Sequence, residues 1–279
     1  MTIYKRSYNI SEQIDLSPEA TLNYENILVE YDNGVGQITL NRPNVLNALS
    51  SALMRELDEV ISKMENEIEV KAIIITGSGR AFSAGADIKE MTQLSKDGRS
   101  LPWDESREGY LWHLATCKKP IIGAINGLAF GGGAMLASAL DLRVGSTLCS
   151  FKYLGVTYGR LNSTWSVPIL VPMPIAKDLL LTGREVKSDE AFRIGLLNRL
   201  VEPENLIQEA KNIGEMIANN NPRMVEGIKR LLNQNIGTTW QEMIEMESKA
   251  KASDLKDEPV ENSFKGFLER KKTHGDNQS

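Results

Sequence analysis

Twice in succession the chain runs from a short β-branched segment into a glycine-rich stretch and then into an apolar helical one. This repeat constrains the fold more than any other feature. KAIIIT (71–76) leads into GSGRAFSAGADIKEM; PIIGAI (120–125) leads through GLAFGGG into AMLASAL, and LRVGS (142–146) follows as the next strand. Consecutive isoleucines at 73–75, rather than alternating ones, suit a strand covered on both faces. Repeated units of strand, glycine loop and helix predict an α/β architecture with parallel strands. Upstream, ILVEY (27–31) and GQITL (36–40) flank Asp32-Asn33-Gly34-Val35, the pattern of an antiparallel hairpin. A helix is expected over 48–65, where Leu49, Leu53, Leu57, Val60, Ile61 and Met64 share one face.

Beyond about residue 173 the pattern is nearly all helical. Ile207, Ala210, Gly214 and Ile217 form one stripe, Met224, Ile228 and Leu231 a second, and Trp240, Met243 and Ile244 a third. The expected organisation is a polar extension over 1–24, a core over 25–200, a helical C-terminal region over 201–272 and a frayed tail over 273–279.

Several classes of function are disfavoured. A net charge of −5 gives no electrostatic reason to expect nucleic acid or an anionic membrane as partner. The charge-free segment 121–140 is broken by glycines and Asn126, so it reads as strand, turn and helix rather than a membrane span. MTIYKRSYNISEQIDLSPEA lacks the apolar run of a signal peptide, and Cys117 and Cys149 lack CxxC spacing. These features fit a cytoplasmic protein. His113 and His274 leave almost no material for a histidine triad or a metal cluster, and no metal is expected. Neither glycine loop matches a nucleotide motif: GSGRAF carries Phe82 where GxGxxG needs its third glycine, and there is no GxxxxGK[ST].

What remains is backbone chemistry. A strand that turns into a helix exposes N–H groups with no intrahelical partner, and small residues there let a ligand carbonyl approach the main chain. The device occurs at Ala84-Gly85-Ala86-Asp87 and again at Gly131-Gly132-Gly133. Two converging donors make an oxyanion hole. Taken singly, each loop is equally a device for tight strand-to-helix packing.

The ordered series GQITLNRPNVLNALS, AFSAGADIKEM, KPIIGAINGLAFGGGAMLASALDLR and LLLTGREVKSDEAFRIGLLNRLVEP resembles the enoyl-CoA hydratase/isomerase, or crotonase, superfamily over roughly residues 25–272. The resemblance implies a spiral of repeated β-β-α units with a helical C-terminal oligomerisation region, assembled as a homotrimer or a dimer of trimers. It also implies an acyl-CoA thioester whose enolate is stabilised between two backbone N–H groups, here those of Ala86 and Gly132. No cofactor is implied beyond the coenzyme A of the thioester itself. Val45, Leu46, Ala84, Asp87, Ile88, Lys89, Gly131, Leu154 and Phe267 match substrate- or CoA-binding positions. For Asp87, as for Asp141, a capping or structural role outranks catalysis.

The same matching finds both usual glutamates replaced. Met135 stands at the first position and Gly155 at the second, with Leu154 where proline is usual; RLNSTWSVPILVPMP replaces the glycine-rich stretch that ordinarily follows. Neither methionine nor glycine exchanges a proton near neutral pH, so the two-glutamate hydration mechanism is not expected. Decarboxylation of a malonyl-type or alkenoyl acyl-CoA, or another enolate reaction without a glutamate base, fits, since loss of CO₂ generates the enolate without a base. The alternatives are hydration or isomerisation with a surrogate acid such as Tyr158, and a non-catalytic acyl-CoA-binding subunit. Arg160, Asn162 and Thr164 are further polar groups beside the second vacancy, although ordinary loop residues account for all four.

Overall fold

The computed structural model describes residues 24–99 and 107–264. The expected extension, apart from Tyr24, and the expected tail lie outside these residues, as does Phe267. The strands are β1 Ile27–Asp32, β2 Val35–Leu40, β3 Ala72–Gly77, β4 Ala81–Ser83, β5 Ile121–Ile125, β6 Leu128–Phe130, β7 Leu142–Ser146, β8 Ser150–Lys152, β9 Glu185–Lys187 and β10 Arg199–Val201. The helices are α1 Ser51–Asn66, α2 Ile88–Lys96, α3 Arg107–Thr116, α4 Gly132–Ser138, α5 Val167–Leu170, α6 Met173–Thr182, α7 Ser188–Arg193, α8 Leu206–Ala218, α9 Pro222–Gln234, α10 Trp240–Ala252 and α11 Val260–Ser263.

A six-stranded sheet runs β1-β2-β3-β5-β7-β10 and a four-stranded one β4-β6-β8-β9. The first strand of each unit enters the large sheet and the second enters the small one: β3 then β4, β5 then β6, β7 then β8. A helix closes the first two units, so the architecture is the expected α/β spiral of β-β-α units. The hairpin forms as its turn residues dictate, with Asn33 and Gly34 both at positive φ and Ile27 opposite Leu40. Strands β2, β3, β5 and β7 pair in parallel.

The run of isoleucines is explained by two cores. Ile73 and Ile75 of β3, with Ile121 and Ile125 of β5, face the main core alongside Leu53, Leu57 and Ile61 of α1. Ile74, Ile122, Ala124 and Val144 face the other way, against Leu206 and Ala210 of α8. Each buried Ile, Leu or Val side chain contributes about 1.5–3 kcal/mol, so both faces of the large sheet hold helices in place. The first helix of the expected C-terminal region therefore lies on the large sheet. Two compact units result, one ending at Glu226 and the other beginning at Gly227. Within the second, Leu255 lies where a Cβ on Gly227 would project, and a capping box of Thr239 and Glu242 starts α10.

Five strands are not legible in the sequence. β4 and β6 lie inside stretches read as glycine turns, β8 lies in a segment assigned no element, and β9 and β10 lie beyond residue 173, where nearly all the signals are helical. All five are three residues long, too short for an alternating pattern to register in a window of useful length. Pairing holds them in place: β10 aligns with the longer β7 at Arg199↔Val144, while the other four pair with one another, β9 with β8 at Ser150↔Lys187.

α3 is tied to α1 by charge as well as by apolar contact. His113 Nδ1 lies 2.7 Å from Asp58 Oδ1, and Nε2 lies 3.8 Å from Glu65 Oε2. Burial alone lowers the imidazole pKa; hydrogen bonds to Asp58 and Glu65 outweigh it and raise the group from 6.5 to about 9. Because the folded-state pKa is raised, the stabilisation is complete below pH 6.5 and is lost as pH rises through 9. The contribution is on the order of 2–3 kcal/mol for a group still partly open to water. Wild type is therefore expected to lose about that much more stability between pH 6 and 10 than His113→Gln in parallel urea titrations. Superimposable pH profiles for the two proteins would refute the charged clamp.

Candidate active site

The two glycine loops meet at the mouth of α4. In the first, residues 84–87 pair with 46–49: Ala84 N donates to Leu46 O at 2.9 Å, Leu49 N to Gly85 O at 2.7 Å and Asp87 N to Leu49 O at 3.2 Å. The groups on either side of Ala86 thus face Leu49, so the Ala86 N–H points away from it. In the second, Gly131 N donates to Lys152 O at 2.8 Å, Gly131 takes φ +50°, and the first helical bond of α4 is Met135 N to Gly131 O. The Gly132 N–H consequently precedes the ladder. Among the hydrogen bonds of the described residues, neither Ala86 N nor Gly132 N has an acceptor.

These nitrogens are neighbours. A Cβ on Gly132 would lie 3.4 Å from Ala86 N, and one on Gly85 would lie 2.8 Å from Gly132 N and 2.7 Å from Phe130 O. Standard backbone dimensions then bring the two nitrogens within about 6 Å of each other. An oxygen accepting two N–H···O bonds of about 2.9 Å spans a similar separation. Gly85, at φ +97°, is what permits the approach.

The loop around the first donor is braced from below. Asn47, fully buried at φ +53°, accepts from Arg42 N through Oδ1 and donates through Nδ2 to Ser78 O and Ala81 O. Ser83 Oγ donates to Asn47 O and accepts from Gly85 N. Sequence reasoning passed over both residues; the available signal was an asparagine, tolerant of positive φ, inside an otherwise apolar run. α4 is held at its far end by Arg143, whose buried guanidinium donates to Leu140 O, Ala137 O and Leu196 O. Burial lowers its pKa to about 10, which leaves it charged against the negative end of the helix.

The family model described as enoyl-CoA hydratase/isomerase matches residues 30–278. The chain belongs to this family. It is 36% identical over 260 residues to the short-chain-enoyl-CoA hydratase of Clostridium acetobutylicum, covering 91% of this chain and 98% of that one. It is 34% identical to the crotonyl-CoA hydratase of Syntrophomonas wolfei, covering 90% and 98%. Among solved structures, a putative enoyl-CoA hydratase from Streptomyces coelicolor superposes with a TM-score of 0.82 at 26% identity, covering 91% and 95%.

Against this crotonase fold, the positions singled out in the sequence separate into groups. Ala84, Ala86, Gly131 and Gly132 come together at the mouth, and Leu154 joins them with Cδ1 3.7 Å from the Cβ position of Gly131. Val45 and Ile88 are exposed, as is Lys89, while Leu46 is half-buried at φ +53°. Asp87 caps α2 by accepting from Glu90 N and pairs with Arg42 Nη1 at 2.9 Å, so both carboxylate oxygens are engaged. Asp141 accepts from Ile121 N. Both aspartates therefore hold structure. Met135 lies three residues after Gly132, one helical turn in, and is buried in the main core. Tyr158 is 68% exposed. The segment 121–140 folds as β5, β6 and α4, and no helix of the described residues is long and apolar enough to cross a membrane.

Proposed function

We propose that the chain binds an acyl-CoA thioester with its carbonyl oxygen between the N–H groups of Ala86 and Gly132 and stabilises the enolate that forms there. The observation that carries this reading is a pair of N–H groups, without acceptors among the described residues, within reach of one oxygen in a member of this family. One preorganised donor of this kind is typically worth about 10²–10³ in rate. Val45, Leu46, Ile88 and Lys89, on the rim beside Ala86, supply apolar contact and positive charge for the coenzyme A moiety, and Phe267 is assigned to the same role.

The favoured reaction is decarboxylation of a malonyl-type thioester. The bond from Cα to the carboxylate breaks, its electron pair enters the thioester carbonyl, CO₂ leaves, and the enolate oxygen rests on the two N–H groups. Solvent then supplies the proton that completes the new C–H bond. Met135, buried in the main core one turn into α4, donates and accepts no proton in this sequence.

A second reading, hydration or isomerisation of an enoyl thioester with a surrogate acid, is favoured by the names of the relatives. A turnover screen by mass spectrometry against saturated, enoyl, malonyl-type and glutaconyl-type CoA esters separates the two. Loss of CO₂ from the malonyl-type ester is expected. Addition of water to enoyl esters alone would establish the second reading. Tight binding without any turnover would establish a non-catalytic acyl-CoA-binding subunit. Assembly as a homotrimer or dimer of trimers is part of the proposal, supported by exposed Ile228, Leu232, Trp240 and Ile244 on α9 and α10.

A further inference from the structure

The turn after β8 is built around Gly155. Its carbonyl accepts from Tyr158 N at 3.1 Å and from Arg160 N at 2.8 Å, so the chain doubles back over it. A Cβ on Gly155 would lie 2.7 Å from Asn162 Oδ1, 2.9 Å from Asn162 Cγ and 2.7 Å from the Arg160 carbonyl oxygen. The space into which a side chain at 155 would project is thus already taken by the Asn162 carboxamide. The turn starts at the mouth: Leu154, next in the chain, touches the Cβ position of Gly131, and Gly131 N is bonded to Lys152 O.

Asn162 also differs from its neighbours in setting. Tyr158, Arg160, Leu161 and Thr164 are exposed, whereas Asn162 is half-buried. Its Oδ1 accepts from Ser163 Oγ at 3.3 Å, and among the described residues Nδ2 has no acceptor. Not being fully buried, this amide leaves its two N–H donors open to a ligand. It exchanges no proton near neutral pH, so it orients a ligand rather than acting as acid or base. Hydrogen bonds to an ionised acceptor are about twice as strong as those to a neutral one, which favours a carboxylate over a carbonyl as its partner.

We propose that the Asn162 carboxamide, seated on Gly155 beside the Gly131 mouth, selects acyl-CoA thioesters that carry a carboxylate close to the thioester carbonyl. The inference rests on the acyl-CoA reading of the Ala86 and Gly132 pair. Asn162 is a specificity-determining residue here: it holds the carboxylate, and the two N–H groups hold the thioester oxygen.

The test compares malonyl-CoA with its hydrocarbon isostere 3-methylbutyryl-CoA. Dissociation constants are read by rapid competition, before turnover, for wild type, Asn162→Ala and Asn162→Asp. Wild type is expected to prefer malonyl-CoA by about tenfold, the ratio to fall to near one in Asn162→Ala, and to invert in the isosteric Asn162→Asp, where two carboxylates repel. A general loss of packing would weaken both ligands together and leave the ratio in place, which overturns the assignment. A wild type without preference overturns it equally. Failure of wild type to bind either thioester would instead remove the acyl-CoA reading on which the inference stands.

Discussion

Crotonyl-CoA is expected to be hydrated with a kcat/KM at least ~10⁴-fold below the diffusional ceiling of about 10⁸ M⁻¹s⁻¹. Hydration requires one group to deprotonate water and another to protonate Cα, and positioned acid–base groups contribute about 10²–10⁴ each. At the first position stands Met135, buried in the main core, and at the second Gly155, over which the chain is folded. Loss of enoyl absorbance measures the rate directly; a value near the ceiling would mean that the acid and base lie elsewhere. Met135→Glu alone is expected to recover less than about tenfold, because acid and base act as a unit. The partner substitution, Gly155→Glu, is blocked by the Arg160 carbonyl oxygen, a backbone atom that cannot swing aside as a side chain can.

What was legible in the sequence followed from periodicity and from residue types with one strong preference. The consecutive isoleucines of β3 revealed a strand covered on both faces, and Asn33-Gly34 revealed the hairpin, since each signal is local. The short strands β4, β6, β8, β9 and β10 were illegible because they exist only through their pairing partners. At the site, glycine and alanine marked where main chain is left open to a ligand, and ordered motifs fixed Ala86 and Gly132 as the donors to examine. Asn47, Ser83 and Arg143 escaped notice because their work is to hold backbone carbonyls, most of them far away in sequence. Among the loop residues, Tyr158 is named by its chemistry alone; that it stands exposed while Asn162 is half-buried depends on how the turn at Gly155 folds back.

Gly133→Ala is expected to be among the most damaging single changes in the protein, although alanine is the better helix former. A Cβ at 133 would lie 2.1 Å from the Ser83 carbonyl oxygen, 2.8 Å from its carbonyl carbon and 2.9 Å from its Cβ. Ser83 cannot yield: it is fully buried in β4, bonded through Oγ to Asn47 O and to Gly85 N. The displacement must be taken by α4, which Arg143 restrains at its other end. Overpacking of this kind costs about 1–3 kcal/mol, and with backbone atoms on the receiving side the upper end applies. Any shift of α4 also moves the Gly132 N–H relative to that of Ala86, so acyl-CoA affinity is expected to fall at least about tenfold in the protein that remains folded. Gly109→Ala is the control. It lies exposed in the first turn of α3 with nothing within 4 Å of its Cβ position, and is expected to raise stability by up to about 1 kcal/mol. Thermal melts and thioester titrations of both variants decide the matter. A Gly133→Ala protein as stable as wild type, with its thioester affinity intact, would show that close contact between α4 and β4 is not what holds the two donors in register.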